Sequence, residues 1–185
     1  MIDNQSKKVI ADTQLWLERA VIGLNLCPFA KSVHVRKGIR YCVSDARTTK
    51  ALSQTLIQEL TYLQETAPEV CETTLLIHPY VLNSFLDYND FLAIADKHIE
   101  QLELYGEIQI ASFHPQYRFA GSGFADEDIT NYTNRSPYPL LHLIRETSIE
   151  RALASISNPS IIFERNIKTM QLLGNDGWKR LWTVS

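Results

Sequence analysis

The sequence predicts an α/β domain built on a small, mainly parallel sheet with a β-α-β-α-β core. Three observations carry this. The runs "IRYCVSD", "TTLLIHP" and "EIQIASF" are short, rich in β-branched or aromatic residues, and bounded by turn residues, as strands are. The stretches between them place leucines and other apolar residues at helical spacing. "TTLLIHP" is apolar without alternation, the pattern of a strand covered on both faces. Strands separated by helices of this length imply crossover units with parallel strands. A chain of 185 residues suits a single domain, 1–185.

The elements follow in order. Val9, Trp16, Leu17, Ala20, Val21 and Leu24 make one apolar face of an N-terminal helix over about 9–26, ended by Pro28. A basic loop leads to the first strand at 39–45. The helix at 48–65 carries Leu52, Leu56, Leu60 and Leu63 and breaks before Pro68; the second strand is 73–78. "DYNDFLAIADKHIEQLELYG" is a helix with Asp87 or Asn89 as cap and Gly106 as stop, and the third strand is 107–113. Then comes a long loop, 115–137, too aromatic for simple disorder. Two C-terminal helices close the chain: one capped by Ser136 with Pro137 at its first position, one by Asn158 with Pro159 and ended at Gly174. Five main helices thus flank the sheet. Trp178 and Trp182, four apart in the tail, are expected to cover the core.

Composition narrows the function. A net charge of -3 argues against general nucleic-acid binding, which needs a basic excess or stripe. The local cluster Lys31, His34, Arg36, Lys37 and Arg40 reads as a solvated loop. No apolar run reaches bilayer length and the N-terminus has no secretory h-region, so the expectation is a cytoplasmic protein with no membrane partner. Three widely spaced cysteines indicate neither a disulfide framework nor a Cys-x-x-Cys metal site.

In parallel α/β sheets, ligands bind beyond the carboxyl ends of the strands. The three strands finish on Asp45, His78 and His114, and proline follows each histidine. Alone, either histidine reads as structural and Asp45 as a helix cap; the repeated His-Pro makes the pair a candidate site. His114 is the candidate general acid/base, because imidazole titrates near neutral pH, with His78 assisting. Cys27, at the expected end of the first helix, is a candidate nucleophile only if a cation or histidine lowers its pKa; cysteine is also a common core residue. Arg118, Asn131, Asn134 and Arg135 lie in the long loop beside an expected helix N-terminus. Guanidinium groups and free helix N–H groups favour a carboxylate or phosphate there. The arginines could equally pair with Asp126, Glu127 and Asp128. The loop, 115–137, would roof the strand ends as a lid. Gly121 and Gly123 make only a lone Gly-x-Gly.

His142 and Glu146, four apart on an expected helix, could join His78 and His114 around a metal. No dense His/Cys motif supports that set, and His142 between two leucines is more simply a core residue. No metal site is assigned on sequence grounds, and no cofactor is indicated.

"LNLCPFA", "SDA", "TTLLIHP", "DYNDFL", "ASFHPQYRFAG", "NYTNRSPYPLLHLIRE", "NIKTMQLLG" and "GW" together resemble the bacterial family called domain of unknown function 1415, from about Trp16 to Trp178. The resemblance implies a cytosolic single-domain protein and supplies no catalytic residues. Three functional readings follow from the residues themselves: an enzyme acting on a small anionic metabolite, a non-catalytic anion- or peptide-binding protein, and a metal-binding protein.

Overall fold

A computed structural model describes residues 3–120, 128–154 and 160–183. It is a mixed α/β structure. Four strands, β1 (Ile39–Val43), β2 (Thr73–Ile77), β3 (Ile108–Phe113) and β4 (Leu140–Arg145), form one sheet in the order β1-β2-β4-β3. β1 and β2 pair in parallel; β4 runs antiparallel to both β2 and β3. The sheet is therefore mixed and not mainly parallel. β1, β2 and β3 still point the same way, since β3 is reversed relative to the strand that is itself reversed relative to β2.

β4 occupies residues expected to be helical. "LLHLIR" is buried on both sides, and a continuous apolar run of that length suits a covered strand as well as a helix. Two features of the chain decide for the strand. Pro139 pushes Tyr138 away from the helical region, and both ladders of the central position must be filled. The helix that follows is short, α5 (Glu146–Leu153). His142 and Glu146 therefore stand on different elements.

Helices cover both faces. α3 (Thr49–Glu65) and α4 (Phe85–Gln101) pack their leucines, Tyr88 and Phe91 on the face that presents Leu76, Leu141 and Leu143. α1 (Asn4–Trp16), continued by a π-helical turn Leu17–Ile22, covers the face that presents Leu75, Ile77 and Leu140. α2 (Ala30–Val35) replaces part of the expected basic loop. Within the basic cluster, Arg40 forks onto Glu59 at 2.7 and 3.1 Å, Arg36 meets Glu72 at 2.7 Å, and His34 lies 3.3 Å from Glu18. Thr48, not Asp45, caps α3, and Asp45 is exposed; Ser84 stands at the cap position of α4, ahead of the expected Asp87 or Asn89. α6 (Ser160–Arg180) is interrupted at Gly174, whose φ of 64° admits glycine without strain and breaks the helix where the sequence predicts its end. The expected cap Asn158–Pro159 lies outside the described residues, as do Gly121, Gly123, Asp126 and Glu127 of the long loop. Among the described residues no helix is long and apolar enough to cross a membrane.

Two side chains lock β4 in place. The Tyr88 hydroxyl, from α4, donates to the Leu140 carbonyl at 2.8 Å and accepts the Phe113 N–H at 3.0 Å, so it bonds both partners of the last β3–β4 register pair. At the other end, Arg145 Nη2 donates to the carbonyls of Leu63 and Thr66 at the end of α3, and to that of Cys71 at 3.3 Å. A cation at a helix carboxyl end also complements the helix dipole. Arg145→Met removes all three bonds and is expected to destabilise the protein by about 3 kcal/mol, because charge-assisted bonds to carbonyls that end up buried are the expensive ones to lose. Urea unfolding measures it; a loss below about 1 kcal/mol would show that water replaces the guanidinium freely.

Candidate functional site

β2 and β3 both end on a histidine, and the chain leading into β4 runs between them. The His78 N–H bonds the Pro139 carbonyl at 3.0 Å, and the His114 N–H bonds the Asn134 carbonyl at 3.1 Å. Side-chain alternation puts both rings on the α3/α4 face. There they pack against Tyr88, with ring centroids 5.8 Å from His78 and 5.0 Å from His114. Both histidines are fully buried.

Their hydrogen bonds define a job. His114 Nδ1 accepts the Gln116 N–H at 3.0 Å, so Nε2 carries the proton and donates to the Leu82 carbonyl at 3.1 Å. His78 Nδ1 donates to the Val81 carbonyl at 3.0 Å, while its Nε2 is buried with no partner. Two adjacent carbonyls of one loop are thus held from beneath by two imidazoles. Leu82 needs such support, because its φ of 59° is left-handed and costly for a residue with a side chain. Burial drives His78 down to about 4 and lowers His114 too.

The other predicted residues separate. His142 projects to the opposite face of the sheet, between Phe29 and Phe113, and its Nε2 donates to Thr73 Oγ1 at 2.8 Å, whose own proton goes to the Leu143 carbonyl. Burial alone takes it down to about 3. The set His78, His114, His142 and Glu146 therefore cannot converge on one metal ion. Cys27 also lies on that opposite face, in the turn before α2, where it shares a cavity of about 40 Å³ with His142 and Thr73. Burial raises its thiol pKa, against hydrogen bonds from the Phe29 and Ala30 N–H groups, which is the wrong direction for a nucleophile. Cys27, His78 and His114 are not brought together.

The four expected anion-binding residues also divide. Asn131 is buried and its Oδ1 accepts the Phe119 N–H at 2.9 Å; Asn134 Nδ2 donates to the Ser112 carbonyl at 3.1 Å. Asn131 thus braces the loop internally, and Asn134 stitches it to β3. Arg118 is exposed. The helix start expected at Pro137 is absent, because the chain enters β4 there; Ser136 Oγ instead donates to the Tyr138 carbonyl. Asn134 lines a pocket of about 340 Å³ with Phe119 and Phe163, and Arg135 lines a different one. Its Nε donates to the Tyr117 carbonyl at 3.3 Å and its guanidinium lies 4.0 Å above the Tyr132 ring.

That pocket, about 430 Å³, opens at the carboxyl end of β3 beside Pro115. Its walls include Tyr132, Trp16, Trp178 and Trp182, which are all the tryptophans of the chain. Trp178 packs edge-on against both Tyr132 (5.2 Å) and Trp182 (5.3 Å). Arg19 fixes the tail by donating to the Leu181 carbonyl at 2.7 Å. Asp12 of α1 forms the acidic side of the pocket. Burial lowers the Arg135 pKa, with nearby Arg118 adding to the effect. A guanidinium so desolvated is screened less and interacts more strongly with an anion. Trp178 and Trp182 pack on the core of the α1 face, as the sequence predicts, and also wall this pocket, which their spacing alone does not reveal. The signal that could have revealed it was the Gly174 stop, which turns the tail back across the N-terminal helix.

The buried neutral histidines make a pH prediction. Their folded pKa values lie below the ordinary 6.5, so the unfolded chain binds protons first as the pH falls. Their contribution is complete above pH 6.5 and declines towards pH 4 for His78 and pH 3 for His142. Between pH 6.5 and 5 the two together are expected to cost about 3 kcal/mol of stability, with His114 adding to it. Urea titrations at half-unit steps check this, and a flat profile would mean that the rings take up protons in the fold as readily as in the unfolded chain.

No curated protein and no solved structure matches the chain. The sequence model of the protein of unknown function family DUF1415 matches residues 8–180, nearly the whole length. The chain belongs to that family.

Proposed function

We propose that the protein binds a small anionic ligand in the pocket at the carboxyl end of β3, with Arg135 holding the anion and the aromatic walls packing its apolar part. The observation that carries this reading is the placement of a half-buried guanidinium in one pocket with three tryptophans and Tyr132. A concave, mainly apolar site with a few fixed polar groups is the usual form of a small-molecule site, and about 430 Å³ falls within the customary range. Binding is favoured over histidine acid/base catalysis by the surroundings of His114. Both of its ring nitrogens are bonded to the main chain and no part of it reaches solvent. A general base must reach the proton it removes.

Because every tryptophan lines this pocket, intrinsic fluorescence reports on it directly. Benzoate, 3-phenylpropionate, succinate, phosphate and sulfate are titrated in turn. A saturable change is expected for at least one carboxylate or phosphate. Arg135→Leu is expected to weaken it by about 10- to 100-fold, the worth of a charge-assisted hydrogen bond. No saturable change across the panel, or an unaltered affinity in a folded Arg135→Leu protein, would overturn the reading.

A further inference from the structure

We infer that the ligand is a zwitterion, a small molecule bearing an ammonium group as well as the anion, with the ammonium seated between Asp12 and the indoles. This rests on the pocket reading above and deepens it. The pocket is charged on two sides: Arg135 comes from the segment entering β4 and Asp12 from α1. Asp12 does not spend its charge on Arg135. It accepts the Tyr138 hydroxyl at 2.6 Å and pairs with Lys8, one turn earlier in its own helix, and both contacts land on Oδ2. Among the described residues no donor reaches Oδ1. The Lys8 side chain is 64% exposed, so its pair with Asp12 is a surface contact that contributes little and is readily exchanged for a ligand ammonium.

The walls favour a cation as well. The faces of tryptophan and tyrosine are electron-rich and attract ammonium groups, tryptophan most strongly. The Asp12 side of the pocket repels an anion, so a plain monoanion uses only the Arg135 side and leaves the Asp12 side unmatched. A ligand with both charges satisfies Asp12, Arg135 and the aromatic walls together. A pocket of this volume leaves space beyond the two charged groups for an aromatic or long aliphatic body.

The test compares matched pairs that differ only in the ammonium: phenylalanine with 3-phenylpropionate, 4-aminobutyrate with butyrate, and 6-aminohexanoate with hexanoate. Spacing of the charges thus varies across the set. Fluorescence titration and calorimetry with the full chain give the affinities. At least one zwitterion is expected to bind 10-fold or more tighter than its monoanion, the order of one charge-assisted contact. Asp12→Asn, which can still accept the Tyr138 hydroxyl, is expected to abolish that advantage and leave the monoanion unchanged or tighter. If every monoanion binds at least as tightly as its zwitterion, the zwitterion inference fails while the anion pocket stands. If a zwitterion wins but Asp12→Asn preserves its advantage, the assignment of Asp12 fails. If no member of any pair binds, both readings fall.

Discussion

Everything at the carboxyl edge of the sheet depends on the main-chain bonding of one strand. β4 lies between two strands, so its peptide groups must be satisfied on both sides; in a buried layer an unpaired N–H or C=O is costly. That requirement spaces β2 and β3 apart, one strand to either side, while leaving both pointing the same way. It also forces the segment before β4 to pass between the two strand ends. The Tyr88 hydroxyl closes the seam at this edge and Arg145 anchors the opposite end of β4 to α3.

From that geometry the two His-Pro exits acquire a shared purpose. Each histidine bonds the incoming β4 segment through its main chain and supports the Val81–Leu82 loop through its ring. Imidazole suits the task because it can donate at one nitrogen and accept at the other without carrying charge into the core. The pocket lies on the outer side of the same junction, against α1 and the tail. The buried histidines and the pocket-lining Arg135 are thus parts of one corner, separated by the sheet.

Much of the fold was legible in the chain. Leu52, Leu56, Leu60 and Leu63 announce α3 through helical spacing, and Thr73–Ile77 announces a covered strand through unbroken apolarity. β4 was illegible because "LLHLIR" has no period that distinguishes a doubly buried strand from a helix, and Ser136-Pro137 imitates a helix start. That error carried further: it put His142 beside Glu146 and gave the loop arginines a helix dipole they do not have. Of the candidate site, Arg135 was singled out with Arg118, Asn131 and Asn134 for lying beside an expected helix start, which the structure replaces with the entry to β4. Asp12 was not, since an acidic residue on the polar face of a helix looks like any solvated charge until another element folds over it.

The sequence by itself determined α3, α4, the first three strands and the common direction of those strands. These follow from side-chain periodicity and from prolines that end strands, both of which act over a few residues. Only the tertiary structure decided which strands lie inside the sheet, which face each histidine points to, and which charged and aromatic groups share a cavity. Those depend on contacts between residues far apart in the chain: Asp12 meets Tyr138 across 126 positions, and Arg19 meets Leu181 across 162. Pairing of this kind is set by the satisfaction of distant backbone groups and the burial of shared surface, and no local window of sequence contains it.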